Sequence, residues 1–246
     1  MSDNNKPKIA ILRWEKGMVP KGLIQLEALP GNSTNPNTYP FPVRFVEVPG
    51  ACAETVITHP DEKVLQSMTQ ICKTLEKDGI KLIATSCGFN AVFQQRVAAN
   101  ISIPFFSSSL LLASTIQAAI GKNNTLAVIT ANKGSLSEKH MRECGITEEI
   151  NVECFGLEEA KEWKRIFDEP NRKCDMDVVE SEIIDTAINA VTGNDKIKAI
   201  LLECTDLPPF AHKISKATGL MVFDFTTMIC FTANSLGEIN MYEPSI

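Results

Sequence analysis

IKLIATSCGFNAVFQQRVAANISIPFF (residues 80–106) can be laid over IKAILLECTDLPPFAHKISKATGLMVF (residues 197–223) without a gap. Each stretch begins with a short run rich in Ile, Leu and Ala, which is typical of a buried strand, and then takes on helical periodicity. Cys87 falls over Cys204, at the end of the strand in both stretches. The overlay predicts an internally duplicated chain in which each half carries one cysteine at the same place.

Strand and helix signals extend this duplication to most of the chain. The predicted strands are residues 9–12, 43–48, 80–85 and 103–106, followed by 126–130, 151–155, 197–203 and 220–225. The predicted helices include residues 62–77, 90–99, 135–142 and 177–191. Alternating helices and nearly continuous apolar strands predict an α/β protein of two pseudo-symmetric halves, each with a mainly parallel four-stranded sheet flanked by helices.

The short polar turn IGKNN, residues 120–124, separates the two halves. We therefore expect one half in residues 1–121 and the other in residues 122–246, with the C-terminal tail crossing back onto the first half. Ligands of open α/β sheets bind at the carboxyl ends of the strands. The active site is accordingly expected between the halves, with Cys87 and Cys204 facing one cleft from opposite sides.

Two opposed thiols suit the transfer of a proton from one face of a carbon atom to the other, because one acts as the base and the other as the acid. A helix amino-terminus lowers the pKa of a thiol. We expect the backbone N–H groups of Gly88, Phe89 and Asn90, and those of Thr205 and Asp206, to lie at such termini. The same groups are predicted to bind the carboxylate of a small substrate.

Further substrate-binding residues are expected at the ends of the first strand of each half, where Arg13 and Thr130 occupy equivalent positions. Arg13 is a candidate for binding a second substrate carboxylate, although a surface ion pair fits equally well. The Thr205 hydroxyl is a candidate carboxylate donor, while Thr205 and Asp206 are also good helix-capping residues. The polar loop of residues 31–39 is predicted to be a lid over the cleft.

The turns TSCGFNA and LLECTDLPPF, together with YPFPVRF at residues 39–45, resemble those of the aspartate/glutamate racemase superfamily, and most closely a bacterial branch without an assigned substrate. The resemblance covers nearly the whole chain. It implies two flavodoxin-like domains, no pyridoxal phosphate and no metal. It also implies an isomerase, a cofactor-independent racemase or epimerase in which Cys87 and Cys204 transfer a proton at the Cα of an acidic or small polar substrate. Where the glutamate racemases have an Asp-Ser pair and a histidine, this chain has Arg13-Trp14 and Asp206.

Two alternatives stay open from the sequence. A maleate isomerase-like or decarboxylase-like enzyme would share the implied fold and place a cysteine at the same edge of the sheet. A non-catalytic protein that binds a small metabolite would leave both thiols without a chemical role. The sequence also leaves open the oligomeric state, for which a homodimer is one candidate.

Composition and charge exclude several partners. The net charge is −6 and no dense run of Lys or Arg occurs, so a nucleic acid partner is not expected. Residues 101–121 are uncharged but contain a proline and six Ser or Thr residues, which favours a buried strand and helix over a membrane span. The polar start, MSDNNKPK, predicts a cytoplasmic protein with free thiols. No spacing of Cys and His resembles a zinc site, so no metal is expected.

Overall fold

The computed structural model describes residues 6–15 and 17–238, and within them eight strands form two four-stranded sheets. The strands are β1 Ile9–Trp14, β2 Val43–Val48, β3 Leu82–Thr85, β4 Phe105–Phe106, β5 Thr125–Thr130, β6 Val152–Gly156, β7 Ile197–Leu202 and β8 Met221–Asp224. The strand orders are β2-β1-β3-β4 and β6-β5-β7-β8, and every pair is parallel. The predicted α/β fold with two equivalent parallel sheets is thus confirmed.

Nine α-helices connect and cover the strands in the described part of the chain. They are α1 Lys21–Glu27, α2 Glu62–Lys77, α3 Gln94–Ala98, α4 Ala113–Ile120, α5 Glu138–Glu143, α6 Lys161–Asp168, α7 Met176–Gly193, α8 Ala211–Thr218 and α9 Phe225–Ser235. The helix predicted over residues 90–99 is a 3-10 segment, Gly88–Phe93, that continues into α3. Helix α9 was not predicted because its sequence, FTTMICFTANS, has no polar face; the Asp224 carboxylate caps it by accepting a hydrogen bond from the Thr227 N–H.

Each sheet is buried on both faces, and each uses a helix from the other half of the chain. On one face of the first sheet, the side chains of β1 and β3 pack against α9, which follows β8 of the second sheet. On the equivalent face of the second sheet, β5 and β7 pack against the segment Ser109–Leu112 and α4, which follow β4 of the first sheet. The remaining faces are covered by α2 in the first sheet and by α6 and α7 in the second. This reciprocal packing fixes the orientation of one sheet against the other.

Helix α1 is a further element of the first half that packs against the second half. It follows β1 in the chain but contacts the core beside β5 and β7. Leu26 belongs to the apolar core beside β5 and β7, and Gly22 lies so close to Cys174 that a Cβ would meet the sulfur at 2.6 Å. The Gln25 side chain donates to the Cys174 carbonyl oxygen (3.1 Å) and accepts from the Cys174 N–H (2.8 Å). The loop that follows α1 is therefore placed over the carboxyl end of the second sheet.

The expected division of the chain at residue 121 stays a prediction. Gly121, in the turn between α4 and β5, has a φ of +86°, a conformation that favours glycine. The helix that packs back onto the first sheet is α9; residues 239–246, the remainder of the tail, lie outside the described residues, as do residues 1–5. Within the described ranges, no helix has the length and apolarity needed to cross a membrane.

The contribution of the exchanged helix α9 to stability can be measured with a matched pair of substitutions. Ile229 is fully buried against the first sheet, whereas Phe231 on the same helix is 65% exposed. Ile229→Ala is expected to lower the free energy of unfolding by about 2–5 kcal/mol, because it leaves a cavity between the halves. Phe231→Ala should change it by no more than about 0.5 kcal/mol. Equal effects in urea denaturation would contradict this packing.

Candidate active site

The two cysteines lie at the carboxyl ends of central strands, two residues beyond β3 and two residues beyond β7. Cys87 is extended, with φ −147° and ψ 122°, and immediately precedes the 3-10 segment Gly88–Phe93. Cys204 is followed by a tight turn and the 3-10 segment Pro208–Phe210, which leads into α8. In each half, the turn lifts the backbone out of the sheet directly after the cysteine.

Direct hydrogen bonds join the two cysteine-bearing turns. The Thr205 hydroxyl donates to the Ser86 carbonyl oxygen at 2.5 Å, and the Ser109 hydroxyl donates to the Leu202 carbonyl oxygen at 2.8 Å. Cys87 and Cys204 are the immediate neighbours of Ser86 and Thr205, so both thiols belong to one site between the sheets. The Thr205 hydroxyl proton is used in this bond, and donation by this hydroxyl to a substrate carboxylate stays a prediction.

The predicted N–H donors do face Cys87, but they do not determine its acidity. The backbone N–H groups of Phe89 and Asn90 interact with the thiol and lower its pKa. Burial raises that pKa by more, since a thiolate away from water loses its hydration, and the carboxylate of Glu203 raises it further. The pKa of Cys87 is therefore well above its ordinary value, contrary to the expectation of a lowered one. The Phe89 ring packs edge-on against His140, so only its backbone is available to a ligand.

Cys204 is paired with a carboxylate. Its sulfur donates to Asp206 Oδ2 at 3.8 Å, and Asp206 Oδ1 accepts a hydrogen bond from Asn32 Nδ2 at 2.8 Å. Burial raises the pKa of Cys204, and the charge of Asp206 raises it further. Burial also raises the pKa of Asp206. Burial thus favours the neutral form of both groups, and the hydrogen bond from the thiol favours the ionised form of Asp206.

A second carboxylate, that of Glu203, lies between the halves. Glu203 is fully buried; its Oε2 accepts a hydrogen bond from the Thr130 hydroxyl at 2.7 Å, while its Oε1 has no hydrogen-bond partner in the described structure. A Cβ on Gly88 would lie 2.1 Å from Oε1. Burial raises the pKa of Glu203 to about 7. The Thr130 hydroxyl thus donates to Glu203, and substrate binding by Thr130 stays a prediction.

Arg13 lies near two acidic side chains, those of Glu47 and Glu27. Its guanidinium donates to Glu47 Oε1 at 3.3 Å and lies 5.7 Å from the centre of the Phe45 ring. The pKa of Glu27, at the end of α1, is raised to about 7 by burial and then by the charge of Asp206, while the charge of Arg13 opposes the shift. The ion pair favours the alternative role predicted for Arg13. Substrate binding by Arg13 stays a prediction.

The polar loop after α1 covers the turn that carries Cys204. Asn32 and Ser33 are fully buried there, and the Ser33 N–H donates to the Thr205 carbonyl oxygen at 3.4 Å. Gly31 has a φ of +98° and its Cα faces the Pro209 backbone so closely that a Cβ would lie 3.1 Å away. The predicted lid is therefore a cover bonded to the second half, and any opening of it stays a prediction.

Polar atoms without a partner occur on both sides of this site. Asn90 Oδ1, in the turn after Cys87, and Ser33 Oγ, in the loop over Thr205, are buried and form no hydrogen bond in the described structure. Buried polar atoms normally have partners. These two atoms are therefore candidates for contacts with a polar substrate, in addition to the backbone N–H groups of Gly88, Phe89 and Asn90.

Three residues of the site were not among the predicted ones: Glu27, Asn32 and Glu203. A signal was available for Glu203, because a glutamate directly after an apolar buried strand and directly before Cys204 must be accommodated in the interior. Asn32 lies in the loop predicted as a lid, but nothing in the loop singles it out. Glu27 reaches the site only because α1 packs on the opposite half. Across residues 6–15 and 17–238, no group of three or more His, Cys, Asp or Glu side chains is arranged to bind a metal ion.

Comparison with known proteins gives consistent matches. The sequence model of the Asp/Glu/hydantoin racemase family matches residues 40–232. A dimethylsulfoniopropionate lyase from Durusdinium sp. clade D is 31% identical over 213 residues, which cover 82% of this chain and 70% of the lyase. A lyase of the same kind from Emiliania huxleyi is 30% identical over 80% of this chain. The matched part spans about half, 53%, of that lyase.

Solved structures share the fold over nearly the whole chain. A mutant form of arylmalonate decarboxylase superimposes with a TM-score of 0.61 at 17% identity, with 96% of each chain covered. An aspartate racemase homologue from Pyrococcus horikoshii superimposes with a TM-score of 0.58 at 18% identity, with 95% of this chain and 100% of that chain covered. At such identities the likeness concerns the fold alone.

The raised pKa of Glu27 predicts a measurable dependence of stability on pH. Glu27 is protonated in both states below its ordinary pKa of 4.5, and it must ionise in a buried place as the pH rises through about 7. The stability that the protonated carboxyl contributes is therefore lost over this range. Glu27→Gln should gain stability relative to the parent protein between pH 4.5 and 7, as measured by urea denaturation.

A control of opposite sign is available at Glu62, where the hydrogen bonds from Arg96 lower the pKa. Glu62→Gln should lose stability relative to the parent protein as the pH rises toward 4.5, because the favourable ionised form is removed, and the difference should be constant between pH 4.5 and 7. Parallel pH profiles for the two variants would contradict the burial of Glu27 beside Asp206.

Proposed function

The chain belongs to the Asp/Glu/hydantoin racemase family, and from this premise we propose that it removes and returns the α-proton of a small carboxylate substrate with Cys87 and Cys204, without a cofactor. The proposed enzyme is an isomerase of the racemase or epimerase type. The observation that carries the proposal is the hydrogen bond between Ser86 and Thr205, which holds the turns of the two cysteines against each other.

In the proposed reaction, the thiolate of one cysteine takes the proton from Cα, and the electron pair moves into the substrate carboxylate as an enolate. The thiol of the other cysteine then gives its proton to the opposite face of Cα, which inverts the centre and leaves the second cysteine as the thiolate. Different groups support the two thiols. The N–H groups of Phe89 and Asn90 stabilise a thiolate at Cys87, and Asp206 exchanges the proton of Cys204.

The charges around the site favour a substrate that carries a cationic group besides its carboxylate. Glu27, Glu203 and Asp206 are all partly or fully buried near the thiols, whereas Arg13 is bonded to Glu47. A second carboxylate on the substrate would be brought into a site that is already acidic. We therefore propose a zwitterion as the substrate, such as an amino acid or an onium carboxylate, and the expectation of an acidic or small polar substrate stays a prediction.

A second candidate is β-elimination, favoured by the relatives that are named dimethylsulfoniopropionate lyases. It would share the first step. A thiolate takes the α-proton, the Cβ–S bond breaks with its electrons leaving on sulfur, and a double bond forms between Cα and Cβ. Dimethyl sulfide, acrylate and a proton on the cysteine result. The acidic groups would then face the sulfonium, and the second thiol would not be needed for proton return.

Further proposals concern the cellular compartment of the enzyme, the division of its chain and its assembly. All eight cysteines are free thiols in the structure, which supports a reducing compartment, and we propose the cytoplasm. We also propose two units, residues 1–121 and 122–246, joined by the reciprocal helix packing. No nucleic acid or membrane partner is proposed, and a homodimer stays one candidate assembly.

The roles of the thiols can be tested by substitution. Cys87→Ser and Cys204→Ser are each expected to lower kcat for racemisation by at least about 100-fold, because a serine hydroxyl is too weak an acid to replace a thiol. Cys52→Ser is the control, since Cys52 is exposed in the loop after β2 and should leave kcat unchanged. Near-normal activity of either active-site variant, measured by circular dichroism of the substrate, would remove that cysteine from the mechanism.

The two candidate reactions can be separated by proton NMR in D2O with single enantiomers of amino acids and with dimethylsulfoniopropionate. Racemisation predicts deuterium at Cα together with formation of the opposite enantiomer. Elimination predicts the vinyl signals of acrylate and release of dimethyl sulfide, with loss of activity in one cysteine variant only. A protein that binds these compounds in calorimetry but catalyses neither exchange nor elimination would overturn the proposed function.

A further inference from the structure

The carboxyl group of Glu203 occupies an unusual place between the halves. It belongs to the segment after β7, it accepts a hydrogen bond from Thr130 at the end of β5, and its free Oε1 lies against Gly88 of the other half. Any side chain at position 88 would collide with it, since a Cβ there would also be 2.4 Å from the Glu203 carbonyl oxygen. Glu203, the residue before Cys204, is therefore packed directly against Gly88, the residue after Cys87.

The interior offers Glu203 too few donors to stabilise a carboxylate. A buried carboxylate normally accepts several hydrogen bonds, whereas Glu203 accepts one, from Thr130, and its other oxygen has no hydrogen-bond partner. A protonated carboxylic acid is far less costly to bury than an ion. Packing and hydrogen bonding together favour the neutral form of Glu203 in the resting enzyme.

Several thiols face this carboxyl group from the surrounding elements. The ionised form of Glu203 raises the pKa of four cysteines, which are Cys87 after β3, Cys144 after α5, Cys154 on β6 and Cys204 on its own segment. Asp206 acts on Cys87 and Cys204 in the same direction, and it remains charged or shares the proton of Cys204. Each negative charge in the site therefore makes ionisation of the other groups less favourable.

We propose that Glu203 is the positioning residue of the thiol pair: as a neutral carboxylic acid it holds the Gly88 and Thr130 segments together, and as a carboxylate it prevents either thiol from ionising. Formation of a thiolate at Cys87 or Cys204 then requires the proton on Glu203. The carboxyl group does not touch the substrate. Its charge state sets the pH range in which the cysteines act as bases, by coupled titration with the thiols.

Glu203→Gln tests this inference without any substrate, because glutamine keeps the shape and removes the charge. The measurement is the pH dependence of iodoacetamide alkylation at each cysteine between pH 6 and 10, resolved by peptide mass spectrometry. Removal of this nearby like charge should lower the pKa of the Cys87 thiol by about one to two units. Because intrinsic nucleophilicity falls with thiol pKa, alkylation of Cys87 between pH 8 and 10, where Glu203 of the parent protein is ionised, should be about 3- to 10-fold faster in the variant.

Two controls accompany this experiment. Cys52 is exposed and remote from Glu203, so its alkylation should be the same in the parent and the variant. Glu180→Gln removes a carboxylate on α7 that is paired with Lys213 on α8, and it should leave the alkylation of Cys87 unchanged. Unchanged alkylation rates at Cys87 and Cys204 between pH 8 and 10 in a folded Glu203→Gln protein would overturn the inference.

A second variant keeps the inference testable if glutamine is not tolerated. Thr130→Val removes the hydroxyl that stabilises ionised Glu203, so more Glu203 is protonated at a given pH. Alkylation of Cys87 should again become faster, by a smaller factor than in Glu203→Gln, and slower or unchanged alkylation would contradict the inference. Since the readout is thiol reactivity, the result is independent of whether the enzyme proves to be a racemase, a lyase or neither.

Discussion

The contact between the two cysteine-bearing turns, made by the Thr205 hydroxyl and the Ser86 carbonyl oxygen, is the constraint on which the site depends. This contact depends on the reciprocal packing, in which a helix of each half covers the sheet of the other half. Helix α9 covers the first sheet and α4 covers the second, so the carboxyl ends of β3 and β7 meet at a fixed distance and angle. A chemistry that needs groups on two faces of one carbon atom gains from such rigidity, since misplacement by about 1 Å costs large factors in rate.

Burial of this contact has an electrostatic consequence. Cys87, Cys204, Glu203 and Asp206 are all buried away from water. Burial raises the pKa of each group, which favours the neutral form. A resting site of protonated thiols and a protonated glutamate is less reactive than one with a free thiolate, but it avoids several uncompensated charges in the interior.

Family membership and the fold limit the chemistry without deciding it. The solved relatives include an aspartate racemase homologue and a decarboxylase, and the curated relatives are lyases. The solved structures are 17% and 18% identical to this chain, so their likeness concerns the fold alone. The proposed reactions therefore rest on the family and on the thiols and carboxylates of this chain.

The sequence by itself determined the two parallel sheets and the places of Cys87 and Cys204, because strand periodicity and the 117-residue repeat between them are local and self-similar signals. It did not determine that α1 packs on the second half, since a short helix carries no record of which half it covers. For the same reason the meeting of Glu27 with Asp206, and of Glu203 with Gly88, was decided only by the tertiary structure. The sequence predicted lowered thiol pKa values from helix ends; the tertiary structure raised them, because acidity depends on burial and on charges brought from distant parts of the chain.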